Sequence, residues 1–345
     1  MRLGMGAAPW AGLDIGAYSV KLVALQPGAG RSRYAEAVIP RTLASDEPPA
    51  PAILAGLIDD CMARIERSPR GFRGITVGVS GPDVIVKQIT LPFMDESEIA
   101  GALRYEARKH LPFDVDTLVL DHQVLGRNVG ERRLDVLLAT VSQQRLDRAL
   151  APLRELGVEA GIVDAAPLAL ANGLGQAVVR DLKDDSNVRL SLDIGHKNSW
   201  LALRHQGHPF FTRRLDWGGA HLTQAIASAT GGSVERAEAW KLDATSSLLH
   251  DGPEAAAARA AVETLGEEVR RSFVFYRTIA ELPEQFTIRL SGGTARLAGL
   301  GERLGEVVGA TVAPFSPLDL NERGARIQAG GPQYAQAYGL ALRAA

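Results

Sequence analysis

The hydrophobic and polar residues of this chain follow two patterns that alternate along its length. Short apolar runs, such as 75–79 and 287–290, are typical of buried strands. Longer stretches with apolar positions three or four residues apart predict helices, for example at 53–65, 99–107 and 255–279. Because strands and helices alternate in both halves of the chain, the pattern predicts two similar α/β lobes that face a cleft.

Residues 75–157 are expected to form a compact unit that interrupts this larger fold. Two β-rich runs, 75–80 and 84–89, are separated by a Gly-Pro-Asp turn and are expected to pair. A helix follows whose start is marked by Asp95 as N-cap, with Glu98 three residues later. Three further elements complete a β-β-α-β-β-α order: strands at 117–124 and 134–141 and a helix at 143–156.

The pattern of polar and apolar residues also indicates where the second half of the chain begins and ends. A polar stretch at 181–187 separates the halves, and helix formers continue through 237–249. The last periodic run includes Tyr334 and Tyr338 and predicts a helix that returns to the first half.

Composition narrows the class of protein. The chain has 345 residues, 46% of them hydrophobic and 23% charged, which is the balance of a globular protein. A formal net charge of -2 gives no general attraction for nucleic acid or an anionic membrane. The single cysteine, Cys61, excludes a disulfide framework, and the histidines lack metal-ligand spacing. Since no secretory signal or long apolar stretch is found, we expect a cytoplasmic protein.

One short phrase, Leu-Asp-Ile-Gly, occurs twice, at 13–16 and at 192–195. Each copy stands between two apolar runs, so each is expected to form a β-hairpin whose glycine lets backbone amides approach a bulky anion. A single Asp-X-Gly is usually an ordinary turn. Two such hairpins that face one another would hold a phosphate tail, so the repeat indicates a phosphorylated ligand.

The charged residues of the two hairpins would supply the chemistry. Asp14 and Asp193 are expected to hold Mg²⁺ through its water molecules, while the amides at Gly16 and Gly195 meet nucleotide oxygens. Lys21 lies on the outgoing strand, where its ammonium would reach a β- or γ-phosphate. The alternative for Lys21 is a lysine on the surface of a strand.

Three later motifs fit the same ligand. Trp-Gly-Gly at 217–219 opens a helix, and Ser-Gly-Gly-Thr at 291–294 is a strand-to-helix turn where the backbone can approach a base or ribose. Glu238 and Lys241 share a helix face and would converge on the ribose and base, unless they only form an i,i+3 ion pair. The candidate glycines and threonine of these turns are Gly218, Gly219, Gly292, Gly293 and Thr294.

The order of these motifs resembles the actin, Hsp70 and sugar kinase superfamily of nucleotide-binding proteins. Four longer phrases resemble, more narrowly, the PilM family of actin-like cytoplasmic proteins of type IV pilus assembly. These phrases lie at 86–94, 106–113, 120–126 and 162–170. The resemblance extends from Gly12 to the C-terminus, and its most specific part is the inserted unit.

The resemblance implies a two-lobed, actin-like ATPase fold of the α/β class, with an inserted subdomain like that of the division protein FtsA. It implies that ATP binds in the cleft. It also implies binding to the cytoplasmic N-terminal peptide of PilN, an inner-membrane protein, and contact with other pilus assembly proteins. The protein would reach the membrane only through that partner.

By this resemblance the chain divides into subdomains of two lobes. In chain order they are 1A, first part, 10–74; the inserted 1C, 75–157; 1A, second part, 158–185; 2A, first part, 186–215; 2B, 216–285; 2A, second part, 286–328; and the C-terminal helix returning to 1A, 329–345.

The resemblance also implies a peptide groove between the insertion and the first subdomain. An extended segment can lie along strands while its apolar side chains fill pockets. The candidate walls are apolar side chains of the insertion: Ile89, Leu91, Phe93, Leu103, Leu111 and Phe113. The alternative is that these residues cap helix ends and fill the insertion's own core.

Both phosphate loops depart from the family pattern. In the first loop, Ala17 and Tyr18 precede the candidate phosphate contact Ser19, although small hydroxyl residues are more usual there. The second loop is bulky and basic, and its Lys197 would either aid phosphate binding or belong to a loop that obstructs it. We therefore expect nucleotide binding without fast hydrolysis.

Hydrolysis would require a residue that orients water on the γ-phosphate. Asp164 lies in the interdomain connection where such a residue is expected, but an aspartate before Ala-Ala-Pro also fits a helix N-cap, which we favour.

Three related functions remain as alternatives. A type II secretion protein of the GspL kind would continue into a membrane-spanning helix, and a division protein like FtsA would need an amphipathic membrane-binding tail; neither segment is expected here. A small-molecule kinase of the same superfamily would need a catalytic aspartate at the cleft floor and a substrate pocket.

Overall fold

The computed structural model describes residues 8–26, 32–40, 48–68, 70–180, 188–205, 210–278, 280–317 and 331–343. Within these ranges the chain forms two α/β lobes and a smaller inserted sheet. The two-lobed α/β fold predicted from the alternating pattern is confirmed.

The elements follow the predicted alternation of strands and helices. In chain order the first half contains β1 (Trp10–Ile15), β2 (Ser19–Leu25), β3 (Ser32–Val38), α1 (Pro51–Arg64), β4 (Gly74–Val79), β5 (Ile85–Pro92), α2 (Glu96–His110), β6 (Leu118–Asn128), β7 (Arg133–Ser142), α3 (Gln143–Glu155), β8 (Ile162–Ala165) and α4 (Ala166–Arg180). The second half contains β9 (Val188–Ile194), β10 (Ser199–His205), β11 (Phe211–Leu215), α5 (Gly219–Thr230), α6 (Val234–Leu242), α7 (Pro253–Tyr276), β12 (Thr287–Ser291), α8 (Leu300–Val308), β13 (Thr311–Pro314) and α9 (Ala335–Leu342). Short 3₁₀ helices cover Val115–Thr117, Gly293–Arg296 and Gly331–Tyr334.

The first lobe is built on a sheet with the strand order β3-β2-β1-β4-β8. Ile58 of α1 and Leu153 of α3 are buried in the core on one face of this sheet. On the other face α9 lies so close that a Cβ atom on Gly12 would stand 2.0 Å from the carbonyl oxygen of Ala337. The C-terminal helix therefore returns to the first lobe, as predicted.

The second lobe repeats this arrangement with the strand order β11-β10-β9-β12-β13. In each lobe three antiparallel strands come first, and two parallel strands extend the sheet on the other side. Leu222 of α5, Val269 of α7 and Leu304 of α8 are buried in the core of this lobe. The two Asp-Ile-Gly phrases end β1 and β9, so both predicted hairpins are confirmed.

The inserted sheet has the order β5-β7-β6 and carries α2 on its apolar face. Its core includes Ile99 and Leu103 of α2 and Leu134 of β7. The backbone N–H of Asp95 donates to Glu98 Oε2 at 3.0 Å, which confirms the predicted capping box at the start of α2.

The predicted pairing of the two β-rich runs is wrong. β4 pairs in parallel with β1 and β8, whereas β5 pairs with β7 in the inserted sheet. The burial patterns give the reason, since β4 is buried on both faces, as parallel interior strands are, while β5 alternates between buried and exposed residues. The six elements have the predicted order, but β4 and α3 pack with the first lobe, leaving β-α-β-β in the inserted sheet.

An apolar cluster joins all three sheets. Val79 of β4 and Val86 of β5 are buried in it, and Phe210, just before β11, packs against it. Thr212 Oγ1 of β11 also donates to the carbonyl oxygen of Val86 at 3.0 Å. The inserted sheet is therefore in contact with both lobes.

One helix differs from the sequence pattern. The helix expected over 237–249 is α6, which ends earlier, because Asp243 Oδ1 accepts from the backbone N–H of Thr245 at 2.7 Å and forms a turn there. The polar stretch 181–187 lies outside the described residues. Across the ranges that the structure describes, we find no helix with the length and apolar character needed to cross a bilayer.

Candidate functional site

The first hairpin places an acid and a base side by side. In the register of β1 and β2, Asp14 stands opposite Lys21, and Asp14 Oδ2 lies 3.3 Å from Lys21 Nζ. The other carboxylate oxygen of Asp14 accepts from Gln336 Nε2 of α9 at 2.9 Å. Both charged groups are buried, so the pair is held on three sides by strand, strand and helix.

The second hairpin presents its acid to the same region. Asp193 Oδ1 accepts from Ser291 Oγ at 2.7 Å. Desolvation raises the pKa of Asp193 to about 6, and the negative charge of Asp14 adds to this rise, while Ser291 and Lys21 work against it. Asp14 and Asp193 come from different lobes and act on each other electrostatically, so the cleft between the lobes holds both carboxylates.

Lys21 is a buried cation of this cleft. Burial alone would lower the pKa of Lys21, but the carboxylates of Asp14, Glu36 and Asp193 outweigh it and raise the pKa above its ordinary value. The ammonium therefore stays charged at neutral pH. This excludes the alternative of a lysine exposed on the surface of a strand.

Glycines bring the second phosphate loop against the start of α5. The backbone N–H of Gly219 donates to the carbonyl oxygen of Gly195 at 2.8 Å. A Cβ atom on Gly218 would stand 2.6 Å from the carbonyl oxygen of His196. Such close backbone approach leaves a helix N-terminus beside the acidic hairpin, and a helix N-terminus favours an anion.

The turn after β12 lies against the same loop. Gly292 has a φ of 92°, and a Cβ atom there would stand 2.3 Å from the carbonyl oxygen of Ile194. Thr294 Oγ1 donates to the carbonyl oxygen of Gly195 at 3.3 Å. At Gly293 a Cβ atom would meet no heavy atom within 4 Å. The glycine-rich turn is thus required by the fold at Gly292, while Gly293 borders open space.

Glu238 and Lys241 form an i,i+3 ion pair, which was the alternative to contact with the ribose and base. The pair is largely buried. Lys241 Nζ lies 2.6 Å from Glu238 Oε2 and also donates to Thr223 Oγ1 and to the carbonyl oxygen of Gly219. The lysine therefore fixes the first turn of α5. Its contact with a ribose or base stays a prediction, as does that of Glu238.

The two phosphate loops touch across the cleft. The ring centroids of Tyr18 and His196 lie 5.4 Å apart. The hydroxyl of Ser19 donates to Glu36 Oε1 at 2.6 Å, inside the first sheet, rather than serving the loop. Gly16 closes its turn by donating to the carbonyl oxygen of Ser19, and Lys197 stands exposed in the second loop.

Asp164 stands two strands away from Asp14 in the same sheet and at nearly the same level, because Leu13 pairs with Val77 and Gly78 pairs with Asp164. Its Oδ1 accepts from the backbone N–H of Ala165 at 2.9 Å. The favoured prediction of a helix N-cap is wrong by one residue, because α4 begins at Ala166 and this bond is made before the first turn. Its Oδ2 lies 3.6 Å from Arg343 Nε, and burial raises the pKa of Asp164 to about 6. The charges that act on it are those of Arg343 and Asp121.

The candidate groove residues divide into two groups. Four of the six are buried in the core of the inserted sheet: Ile89, Leu91, Leu103 and Leu111. These four side chains fill the insertion's own core, as the alternative interpretation predicted, and do not line a binding surface. Phe93 and Phe113 are exposed, at 41% and 40%, and remain candidates for contact with a peptide.

Some residues of the site were missed in the sequence. Gln336 binds Asp14 from 322 positions away, and the only sequence signal for it is a polar residue within an apolar helical run. Ser291 begins the Ser-Gly-Gly-Thr turn, and the sequence does not distinguish it from an ordinary turn serine. Thr223 lies one turn into α5 and gives no motif.

The residues of the cleft fit a magnesium nucleotide. Two carboxylates from separate lobes supply the hard oxygen ligands that Mg²⁺ takes, directly or through water. The buried ammonium, the backbone at Gly195 and the N-terminus of α5 suit phosphate oxygens.

Comparison with known proteins agrees with this geometry. A family profile described as "Type IV pilus assembly protein PilM" matches residues 12–345. A solved PilM-PilN type IV pilus biogenesis complex is similar at 29% identity and a TM-score of 0.80, over 97% of this chain and 98% of that one.

More distant solved structures share the fold alone. The ethanolamine utilization protein EutJ from Carboxydothermus hydrogenoformans has 15% identity and a TM-score of 0.54, over 97% of this chain and 89% of that one. MreB5 of Spiroplasma citri bound to ADP has 11% identity and a TM-score of 0.50, over 97% and 95%.

Proposed function

Since the chain belongs to the PilM family of type IV pilus assembly proteins, we propose that it binds Mg-ATP in the cleft and holds a PilN-like inner-membrane protein by its cytoplasmic N-terminal peptide. The single observation that carries the nucleotide part is that the two acidic hairpins meet, with the rings of Tyr18 and His196 5.4 Å apart, so that the buried pair of Asp14 and Lys21 faces the hairpin of Asp193. The partner is taken from the similar PilM-PilN complex.

The residues of the cleft have separate roles in this proposal. Asp14 and Asp193 orient the waters of Mg²⁺, and Lys21 neutralises charge on the phosphates. The turns at Gly16, Gly195, Gly218 and Gly219 have no side chains, which lets phosphate oxygens approach the backbone of both loops, although the N–H groups of these four glycines donate within the protein. Lys197 adds charge at the mouth of the second loop. Glu238, Lys241, Gly292, Gly293 and Thr294 border the ribose and base.

The protein acts as a nucleotide-dependent adaptor rather than a fast enzyme. The phosphate loops already touch through Tyr18 and His196, so nucleotide entry requires the lobes to separate and exit requires it again. Ser19 is engaged with Glu36, which removes one hydroxyl from the phosphate loop. These features support slow exchange and slow hydrolysis.

The cleft and the insertion are joined by contacts that lobe movement would alter. Thr212 of the second lobe donates to Val86 of the inserted sheet, and Trp200 Nε1 donates to Ser80 Oγ at 2.9 Å. A ligand shifts an equilibrium by its different affinity for two states, and such coupling is reciprocal. We therefore expect Mg-ATP and the PilN-like peptide to change each other's affinity, and the protein to lie at the cytoplasmic face of the inner membrane through this partner.

Calorimetry on the purified protein tests the nucleotide site. Asp14→Asn should weaken Mg-ATP binding at least about tenfold, because a charge-assisted contact is lost, while circular dichroism stays unchanged. Asp59→Asn, on the exposed face of α1, is the matched control and should bind as the wild type does. Equal binding by all three proteins would show that the carboxylate of Asp14 is not at the nucleotide.

A second titration tests the adaptor role. A synthetic peptide of the partner's cytoplasmic N-terminal segment should bind the wild-type protein, with an affinity that differs between saturating Mg-ATP and no nucleotide. Identical affinities would leave a static scaffold and remove the switch. Turnover above roughly 1 s⁻¹ with a small acceptor would instead favour a kinase of the same superfamily.

A further inference from the structure

Gln336 joins the C-terminal helix α9 to the carboxylate of Asp14. Its Nε2 donates to Asp14 Oδ1 at 2.9 Å, while Asp14 Oδ2 lies 3.3 Å from Lys21 Nζ. Among the residues that the structure describes, no other side chain donates to Asp14. One carboxylate oxygen is thus held by a neutral amide and the other by a cation, so the amide orients the group without neutralising its charge.

This contact depends on a glycine of the neighbouring strand. In the parallel register of β1 and β4, Gly78 stands at the level of Asp14. A Cβ atom on Gly78 would stand 3.0 Å from Gln336 Nε2 and 2.9 Å from Leu340 Cδ1. The missing side chain therefore leaves the space beside Asp14 that the amide occupies.

Close backbone packing of α9 fixes the amide at this place. A Cβ atom on Gly12 of β1 would overlap the carbonyl oxygen of Ala337. One on Gly339 would overlap the carbonyl oxygen of Ala169 in α4. Because the helix is in contact with both elements and Gln336 is only 9% exposed, the amide has little freedom to turn away from the carboxylate.

A buried amide at this position has two possible roles. It can serve only to dock α9, since a buried carboxylate oxygen needs a donor. It can also set the orientation of Asp14, and the second role fits the separate partners of the two oxygens, because the amide keeps Oδ1 from turning toward Lys21 as well. Orientation matters for Mg²⁺, which demands near-ideal octahedral geometry.

On the basis of the proposed function, we propose that Gln336 is a positioning residue for Mg²⁺. Its amide fixes the carboxylate of Asp14 in the orientation that receives the magnesium nucleotide, and Gly78 is the gap that admits the amide. The C-terminal helix, and not the two hairpins alone, then determines how much Mg²⁺ adds to nucleotide affinity.

Calorimetry of ATP binding to the full chain, in saturating Mg²⁺ and in EDTA, tests this role. The ratio of the two affinities measures what Mg²⁺ adds. Gln336→Met should lower the ratio by about tenfold, because the hydrogen-bond partners of a metal ligand typically change metal affinity by about 10- to 100-fold, and should leave the affinity in EDTA within about twofold of the wild type.

Gln143→Met is the matched control. Gln143 Nε2 donates to Asp147 Oδ2 at 3.1 Å, which is the same kind of bond at an exposed place on α3. Its loss should leave the ratio unchanged.

Two further variants separate the position of the amide from its presence. Gly78→Ala keeps Gln336 but displaces its amide, so it should lower the ratio as Gln336→Met does, with no further loss when the two are combined. Gln336→Asn carries an amide that is one methylene too short to reach Asp14 and should give the same loss, which keeps the test decisive if Gln336→Met does not fold. Circular dichroism and the melting temperature establish that each variant is folded in the assay.

The outcomes separate this inference from the proposed function. A wild-type protein with the same ATP affinity in Mg²⁺ and in EDTA would overturn the proposed magnesium site itself. A clear Mg²⁺ dependence in the wild type that is unchanged in the folded variants would overturn only the inference. An equal loss of affinity with and without Mg²⁺ would also overturn it, because the amide would then serve only to dock α9.

Discussion

The ammonium of Lys21 and the carboxylate of Asp14 lie 3.3 Å apart on neighbouring strands of one hairpin, and both are buried. Each charge therefore offsets the free-energy cost of burying the other. The charge of Asp193, from the second lobe, also acts on Lys21. A change in the charge of the cleft should therefore change the stability of the first lobe.

Lys21→Met should lower the free energy of unfolding by about 3 kcal/mol, because the Asp14 carboxylate is left buried without its cation. Urea unfolding measures this loss. Lys109→Met breaks an exposed pair with Glu106 and should cause no measurable change. Equal stability of the two variants would mean that Asp14 is hydrated or protonated in the free protein.

The raised pKa of Asp193 predicts a specific pH dependence without Mg²⁺ or nucleotide. Its pKa is about 6 in the native state and about 4 when unfolded, so the native state holds the proton more firmly. The free energy of unfolding should therefore fall as pH rises from about 4 to about 6 and stay low above that.

Asp193→Asn should remove this dependence. The variant should be more stable than the wild type by roughly 2 to 3 kcal/mol at pH 7.5 and nearly equally stable near pH 4, because its side chain carries no charge to bury. Since Asp164 titrates in both proteins, the difference between the two curves isolates Asp193. Parallel curves for wild type and Asp193→Asn would contradict the assigned desolvation, and Asp59→Asn serves as the control.

Neighbouring glycines should respond differently to the same change. Gly292→Ala forces a side chain into a left-handed conformation and against Ile194, so we expect a loss of about 2 kcal/mol or more in thermal or urea unfolding. Gly293→Ala meets open space in the free protein and should keep its stability. A loss confined to nucleotide affinity in Gly293→Ala would place the ligand at this turn, and a large loss of stability there would contradict the geometry.

Coupling between the cleft and the insertion should depend on Thr212. Thr212→Val removes the hydrogen bond to Val86, which is worth about 1 kcal/mol, so the effect of Mg-ATP on peptide affinity should shrink by about fivefold. Calorimetry with and without nucleotide measures this ratio. Thr245→Val, in an exposed turn of the second lobe, is the control, and an unchanged ratio in Thr212→Val would place the coupling elsewhere.

The hairpins with Asp14 and Asp193 could be predicted because a hairpin is encoded by adjacent residues and the phrase occurs twice. The capping box at Asp95 and Glu98 is local in the same way. Gln336 could not be predicted, because its contact with Asp14 depends on how α9 packs on the first sheet and not on any neighbour in sequence.

The pairing of β4 was misassigned for a related reason. A short apolar run does not specify its partner, and the turn after Val79 looks the same whether the next strand folds back or enters another sheet. The apolar residues Leu103 and Leu111 have the periodicity of a core and of a groove wall alike, and only the packed insertion places them inside. Asp164 had two local interpretations, and the long-range neighbour Arg343 was invisible to both.

The cluster of Val79, Val86 and Phe210 has a consequence for protein engineering. An insertion that shares its interior with both of its hosts is not a detachable module. Excising it to produce a minimal two-lobed scaffold would bare hydrophobic surface on each lobe, and grafting it onto another actin-like protein would require all three faces to be transplanted together.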